Sequence, residues 1–181
     1  MEVYLLKSDV GHYQAFQMCR SEDLDVAFKF VGRSLKDEWV PIAVQPIDQE
    51  ENRRLPHGDF PYVTTFPILS GRAMECLKTV MNAEAELLPL TWDRERLYAL
   101  NVTTVLDGLD EAQSQIQWLP SGPLFAIKQH AFIRDVVRGH VVFKVKQDPL
   151  VNVYVSEVVA ARIQACGLVG ARLERVWSAP D

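Results

Sequence analysis

The sequence predicts an α+β fold with a largely antiparallel sheet and two main helices, over about residues 70–82 and 156–166. Three observations carry this expectation. Short β-favouring runs greatly outnumber helical patterns, they do not alternate with helices as βαβ units would, and both helical patterns have legible ends.

Val3 to Leu6 opens the chain as a strand, and Ala27 to Val31 alternates enough to read as a second, weaker one. Between Trp39 and Pro67 stand five prolines and the charged run Asp48 to Arg54. Proline fixes φ and removes a backbone donor, so this stretch reads as extended loop with short strands and as an exposed recognition surface. Ser70 is placed to cap the first helix, whose Met74, Leu77, Val80 and Met81 recur at helical spacing on one apolar face. Glu86 to Leu90 and Arg96 to Thr104 read as strands, with Pro89 placing the former at an edge. Asp107 to Asp110 is turn chemistry, with Gly108 free to take positive φ. Leu124 to Ile127 and His140 to Lys146 follow as strands, the latter with Val141, Phe143 and Val145 on an apolar face opposite Val142, Lys144 and Lys146.

Val153 to Val155 leads into the second helix, with Ser156 as cap and Glu157 at the positive end of the helix dipole. Val158, Val159, Ile163 and Cys166 are its expected buried face. Gly167 suits a left-handed C-terminal residue with Leu168 folding back on Ile163. Leu173 to Trp177 supplies a last strand. No Gly/Ser linker divides the chain, so residues 1–181 are expected to form one domain.

The chain has 181 residues, 48% hydrophobic and 24% charged, which is the composition of an ordinary globular domain. At this size no disulfide is needed for a core. The net charge is -5, divided as -4, -4 and +3 over residues 1–60, 61–120 and 121–181. The negative first two thirds argue against a nucleic-acid partner and fit a basic protein partner. Cys19, Cys76 and Cys166 form no Cys-x-x-Cys pair, and Cys76 and Cys166 read as free, buried small hydrophobes in a reducing compartment. No export signal or membrane-length apolar run is present, so a cytoplasmic protein with no membrane contact is expected. Asn101-Val102-Thr103 has the form of a glycosylation acceptor and reads as chance.

No P-loop, dinucleotide fingerprint, His-Glu-x-x-His or nucleophile elbow occurs. Neither cofactor nor metal is expected. His57-Gly58-Asp59 is the one local imidazole and carboxylate pairing, open to a small-molecule enzyme reading through acid/base chemistry. The same residues also read as a corner, in which Gly58 turns the chain, Asp59 caps turn amides and Phe60 is held extended by Pro61 and buried.

Gly58-Asp59-Phe60-Pro61 combines with Tyr98 to Val102, Val105 to Asp110 through Ser114, Val142 to Lys144, Val153 to Glu157 and Gly167 to Gly170. In order and spacing this set resembles immunity protein family eleven of bacterial polymorphic toxin systems, over residues 56–177. Its matched positions include Gly58, Asp59, Phe60, Pro61, Asp107, Asp110, Ser114, Ser156 and Gly170. Leu173 stands where many relatives carry an aromatic residue.

The resemblance implies a non-catalytic protein that binds and neutralises a cognate toxin. The toxin is expected to be encoded by the adjacent gene, delivered by a system such as type VI secretion, and to include nucleases among its kinds. Asp48, Glu50 and Glu51 are candidate partners for toxin Lys or Arg, with Trp39 and Tyr62 as aromatic anchors. A regulatory or scaffold protein without a toxin is the other alternative.

Overall fold

In the computed structural model, residues 1–63, 66–81, 83–118 and 124–179 are described. In chain order the elements are β1 (Glu2–Ser8), β2 (Phe16–Met18), a 3-10 segment (Ser21–Lys29), β3 (Val44–Pro46), α1 (Glu50–Arg53), β4 (Ile68–Ser70), α2 (Gly71–Met81), β5 (Ala85–Leu90), β6 (Leu97–Val102) and β7 (Val105–Leu106). There follow β8 (Gln115–Trp118), β9 (Leu124–Gln129), α3 (Arg134–Val137), β10 (Val142–Val145), β11 (Val153–Ser156), α4 (Glu157–Ala165) and β12 (Ala171–Ser178). The fold is α+β with antiparallel-dominated sheets, as the sequence predicts.

The main sheet runs β12-β1-β11-β10-β7, antiparallel except for the last pair. Its strands β10 and β11 are buried on both faces while β12 is largely open, and the period of two sorts the side chains. Tyr4, Leu6, Val153 and Val155 face α2 and α4, where Leu69, Leu77, Met81, Leu100, Val159 and Ile163 complete a core. Val3, Leu5, Phe143, Val145 and Tyr154 face the opposite way onto Leu109, Phe132 and Val137. The second sheet, β4-β6-β5, adds a third core with Ile68, Leu97 and Ala99 against Phe16, Phe30, Leu35 and Phe66.

The start of α2 and the end of α4 are as expected. Ser70 Oγ accepts from the Ala73 N–H at 3.0 Å, which is an N-cap bond. The expected helix end at Asn82 falls outside the described residues. At the end of α4, Gly167 has φ +60°, Leu168 N–H donates to Ile163 O at 3.1 Å and Gly167 N–H to Gln164 O at 2.9 Å, the two bonds of a Schellman ending.

Several local expectations are corrected. Ala27 to Val31 is no strand: it belongs largely to the 3-10 segment, whose chain bonds to itself, with Phe30 N–H donating to Ala27 O. The run Asp48 to Arg54 contains the short helix α1 rather than only loop. Val158 is 53% exposed, and Ala160 takes its place on the buried face of α4. Ser156 holds the N-cap position with extended backbone, but its hydroxyl makes no cap bond and is buried without a partner. Lys144, opposite the apolar face of Phe143 and Val145, is nevertheless buried, because the chain at Phe30 and at Pro149 and Leu150 lies over its ammonium. Gly108 does not take positive φ; a Cβ there would stand 2.9 Å from Val137 Cγ1, so close packing excludes a side chain. Cys76 and Cys166 are not free thiols but a disulfide that ties α2 to the end of α4, leaving Cys19 as the exposed free cysteine among the described residues. Cys76 is buried as expected and Cys166 only half-buried, and helical spacing carries no sign of their pairing across 90 residues.

Candidate functional site

The Gly58 to Pro61 corner is a structural joint. The Asp59 carboxylate is buried and accepts from Ser70 Oγ at 2.6 Å, Arg72 Nη1 at 3.0 Å and the Val169 N–H at 2.9 Å. Its backbone N–H donates to Val169 O at 2.8 Å, and its carbonyl accepts from the Ser70 N–H at 2.9 Å. Gly58 is not at positive φ; a Cβ there would stand 2.9 Å from the Tyr13 ring, and one on Gly170 would stand 3.3 Å from Gly58 Cα. The two glycines let the chain ends of α4 and the corner touch backbone to backbone. Phe60 is buried in the helix-facing core as expected. The His57 ring is exposed and rests against Trp92 at a centroid distance of 5.3 Å, making no hydrogen bond to Asp59 among the described residues.

Asp110 and Ser114 are also fastened within the fold, whereas the Ser156 hydroxyl is not. Asp110 Oδ1 accepts from the N–H groups of Ala112 and Gln113 at 3.1 Å each. Ser114 Oγ bridges to the Ala131 backbone, accepting from its N–H at 3.0 Å and donating to its carbonyl at 3.2 Å. Asp107 is exposed and pairs with Lys146 at 3.4 Å.

Surface chemistry is concentrated elsewhere. An apolar groove of about 670 Å³ is floored by Phe60, Val63, Phe66 and Ile68. One bank is the 3-10 segment, through Leu24, Ala27 and Phe28, and the other is Leu150 to Asn152. Its rim exposes large apolar groups: Phe28 is 69% exposed, Val151 75% and Val10 57%. The opposite side of the 3-10 segment lines a hollow of about 250 Å³ holding Glu22, Asp23, Asp25, Glu38, Lys29 and Trp39.

Buried Lys144 joins the two banks from beneath. Its Nζ donates to Phe30 O at 2.6 Å, Pro149 O at 2.8 Å and Leu150 O at 3.4 Å. Three carbonyls around one ammonium match its three N–H donors. Burial pushes Lys144 down to about 8, and the nearby Asp148 opposes that shift.

The structure therefore divides the expected contact residues. Tyr62 lines the groove and Trp39 the hollow, where its Nε1–H donates to Pro89 O at 2.8 Å. Asp48 and Glu50 lie on the surface in ion pairs with Arg53 and Arg54, while Glu51 is exposed with no ion pair among the described residues. Leu24, Phe28, Leu150 and Val151 escape a reading by residue type, because exposed apolar side chains look like core in a sequence. The four-residue spacing of Leu24 and Phe28 beside three acids was the available signal.

Among the described residues, no group of three or more His, Cys, Asp or Glu is gathered to hold a metal, and no helix is long and apolar enough to cross a membrane. Comparison with family models matches residues 47–178 to one described as Immunity protein family (Imm11). The match spans more than half of the 181 residues, and the chain belongs to this family. The resemblance over residues 56–177 is thereby met, and the matched span begins earlier, at residue 47. Comparison with curated proteins finds no match.

Proposed function

We propose that the protein neutralises a cognate antibacterial toxin by binding it stoichiometrically and covering the surface the toxin needs for activity. The family membership carries this reading. It is supported by a motif carboxylate, Asp59, whose oxygens are spent on internal fastening and by an apolar groove on the surface. Binding without catalysis suits Asp59, whose carboxylate is occupied by Ser70, Arg72 and Val169 rather than presented to a substrate.

In this proposal the toxin is a nuclease delivered by type VI secretion, and its gene lies beside this one. Trp39 and Tyr62 provide aromatic anchors, and Asp48, Glu50 and Glu51 meet basic residues of the toxin at the rim. The test is titration of the purified adjacent-gene product with this protein. Toxin activity is expected to fall linearly to zero at one equivalent; loss of activity only at large excess, or none, contradicts the reading. Reversing Asp48, Glu50 and Glu51 together is expected to slow association at low salt, and an unchanged rate removes that loop from the interface.

A further inference from the structure

We infer that the groove between the 3-10 segment and Leu150 to Asn152 is the docking site for a segment of the toxin that carries large apolar side chains beside one Lys or Arg. This rests on the immunity reading and assigns it a surface. Small-molecule sites bury most of their ligand and place a few polar groups around it. Here Phe28, Val151 and Val10 remain mostly exposed at the rim, where a small compound would leave them in water. Exposed large apolar groups gathered at one groove fit a macromolecular partner.

The charge pattern selects that partner's chemistry. Crossing the 3-10 segment leads from the groove into the hollow, lined by four carboxylates against the single ammonium of Lys29. Glu22 and Asp23 share Arg20, and Glu38 pairs with Arg33, whereas Asp25 is exposed with no ion pair among the described residues. Trp39, fixed by its bond to Pro89 O, stands in the same hollow and offers a ring to a cation. One basic side chain placed there meets both the open carboxylate and the ring. Lys144 holds both banks before the partner arrives, since its ammonium bonds Phe30 on one side and Pro149 and Leu150 on the other, so little ordering is left to binding.

The experiment measures binding of the purified adjacent-gene toxin to the wild type, Phe28→Asp, Val151→Asp and Asp25→Lys, with thermal melts of each to confirm folding. Phe28 and Val151 are mostly exposed, so these variants are expected to fold. Each of the two apolar variants is expected to bind at least about 30-fold more weakly, as interface anchors do. Asp25→Lys is expected to associate about tenfold more slowly at low salt, with the difference shrinking at high salt.

Wild-type affinity in all three variants, with the wild type still neutralising the toxin, overturns the groove assignment and leaves the immunity reading standing. A wild type that neither binds nor neutralises overturns both. A wild type that self-associates, with Phe28→Asp restoring a monomer and leaving toxin binding intact, makes a second copy the occupant and also overturns the assignment.

Discussion

Asp59 Oδ2 accepts a hydrogen bond from the Val169 N–H at 2.9 Å, joining residues 110 apart in the chain. The same carboxylate oxygen pairs with Arg72, whose Nη2 also donates to the carbonyls of Cys166 and Gly167 at 2.6 and 2.9 Å. One acid thus fastens the corner before β4, the start of α2 and the end of α4.

Asp59→Asn removes a charge from this joint and turns one acceptor into a donor facing other donors. Leaving the buried Ser70 and Val169 donors without a proper acceptor is costly, and about 3 kcal/mol is expected here, a fall in melting temperature of roughly 6–12 °C. Denaturation followed by circular dichroism checks it. An enzyme using this carboxylate would instead keep its stability and lose turnover.

The Cys76–Cys166 disulfide closes a long loop, with its cysteines 90 positions apart. In the chain-entropy account such a loop contributes about 4–5 kcal/mol by restricting the unfolded chain. Melting with and without reductant is expected to differ strongly for the wild type. The Cys76→Ser, Cys166→Ser variant is expected to melt alike in both conditions, at the lower temperature.

Lys144→Met leaves the carbonyls of Phe30 and Pro149 without their buried donor, at an expected cost of about 2–3 kcal/mol at neutral pH. The pH dependence has a definite sign. Burial sets the folded-state value near 8, below the ordinary 10.5, so the unfolded chain holds the proton more tightly across that window. Lys144 therefore adds stability as pH rises from about 8 to 10.5, a gain the methionine variant lacks. Urea unfolding of both proteins across that range measures the difference.

His130 lies against Tyr154, its Nε2 3.1 Å from the phenolic oxygen, and burial lowers it from 6.5 to about 4. The folded protein therefore resists protonation that the unfolded chain accepts, and stability is lost as pH falls from 6.5 to 4. Counting solvent screening at its open side, the loss is on the order of 1–2 kcal/mol. His130→Gln is expected to flatten this part of the stability profile.

Legibility in the sequence followed the range of the interaction. Ser70, Gly167 and Leu168 act within a few residues of themselves, and the ends of α2 and α4 were readable from them. The alternation of β10 is visible too, but whether Lys144 meets water depends on the chain at Phe30 and at Pro149 and Leu150 lying over it, which no local pattern encodes. Asp59 was legible as part of a corner, though its partner Val169 was not, and Gly58 proved necessary for the approach of Tyr13 rather than for a turn. Asn101 matched a glycosylation acceptor, yet its side chain is buried against Arg33 O and Glu86. The interaction face was the least legible part. Trp39 and Tyr62 stand out by residue type, whereas the exposure of Phe28 and Val151 is set only by the fold.

Co-expression of the adjacent-gene toxin with this protein, scoring cell survival and co-purification together, tests the central claim most directly. The account expects survival with a stable complex, and loss of both when Phe28 and Val151 are replaced by Asp. Survival without any complex, or a toxin that kills despite abundant folded protein, would contradict neutralisation by binding.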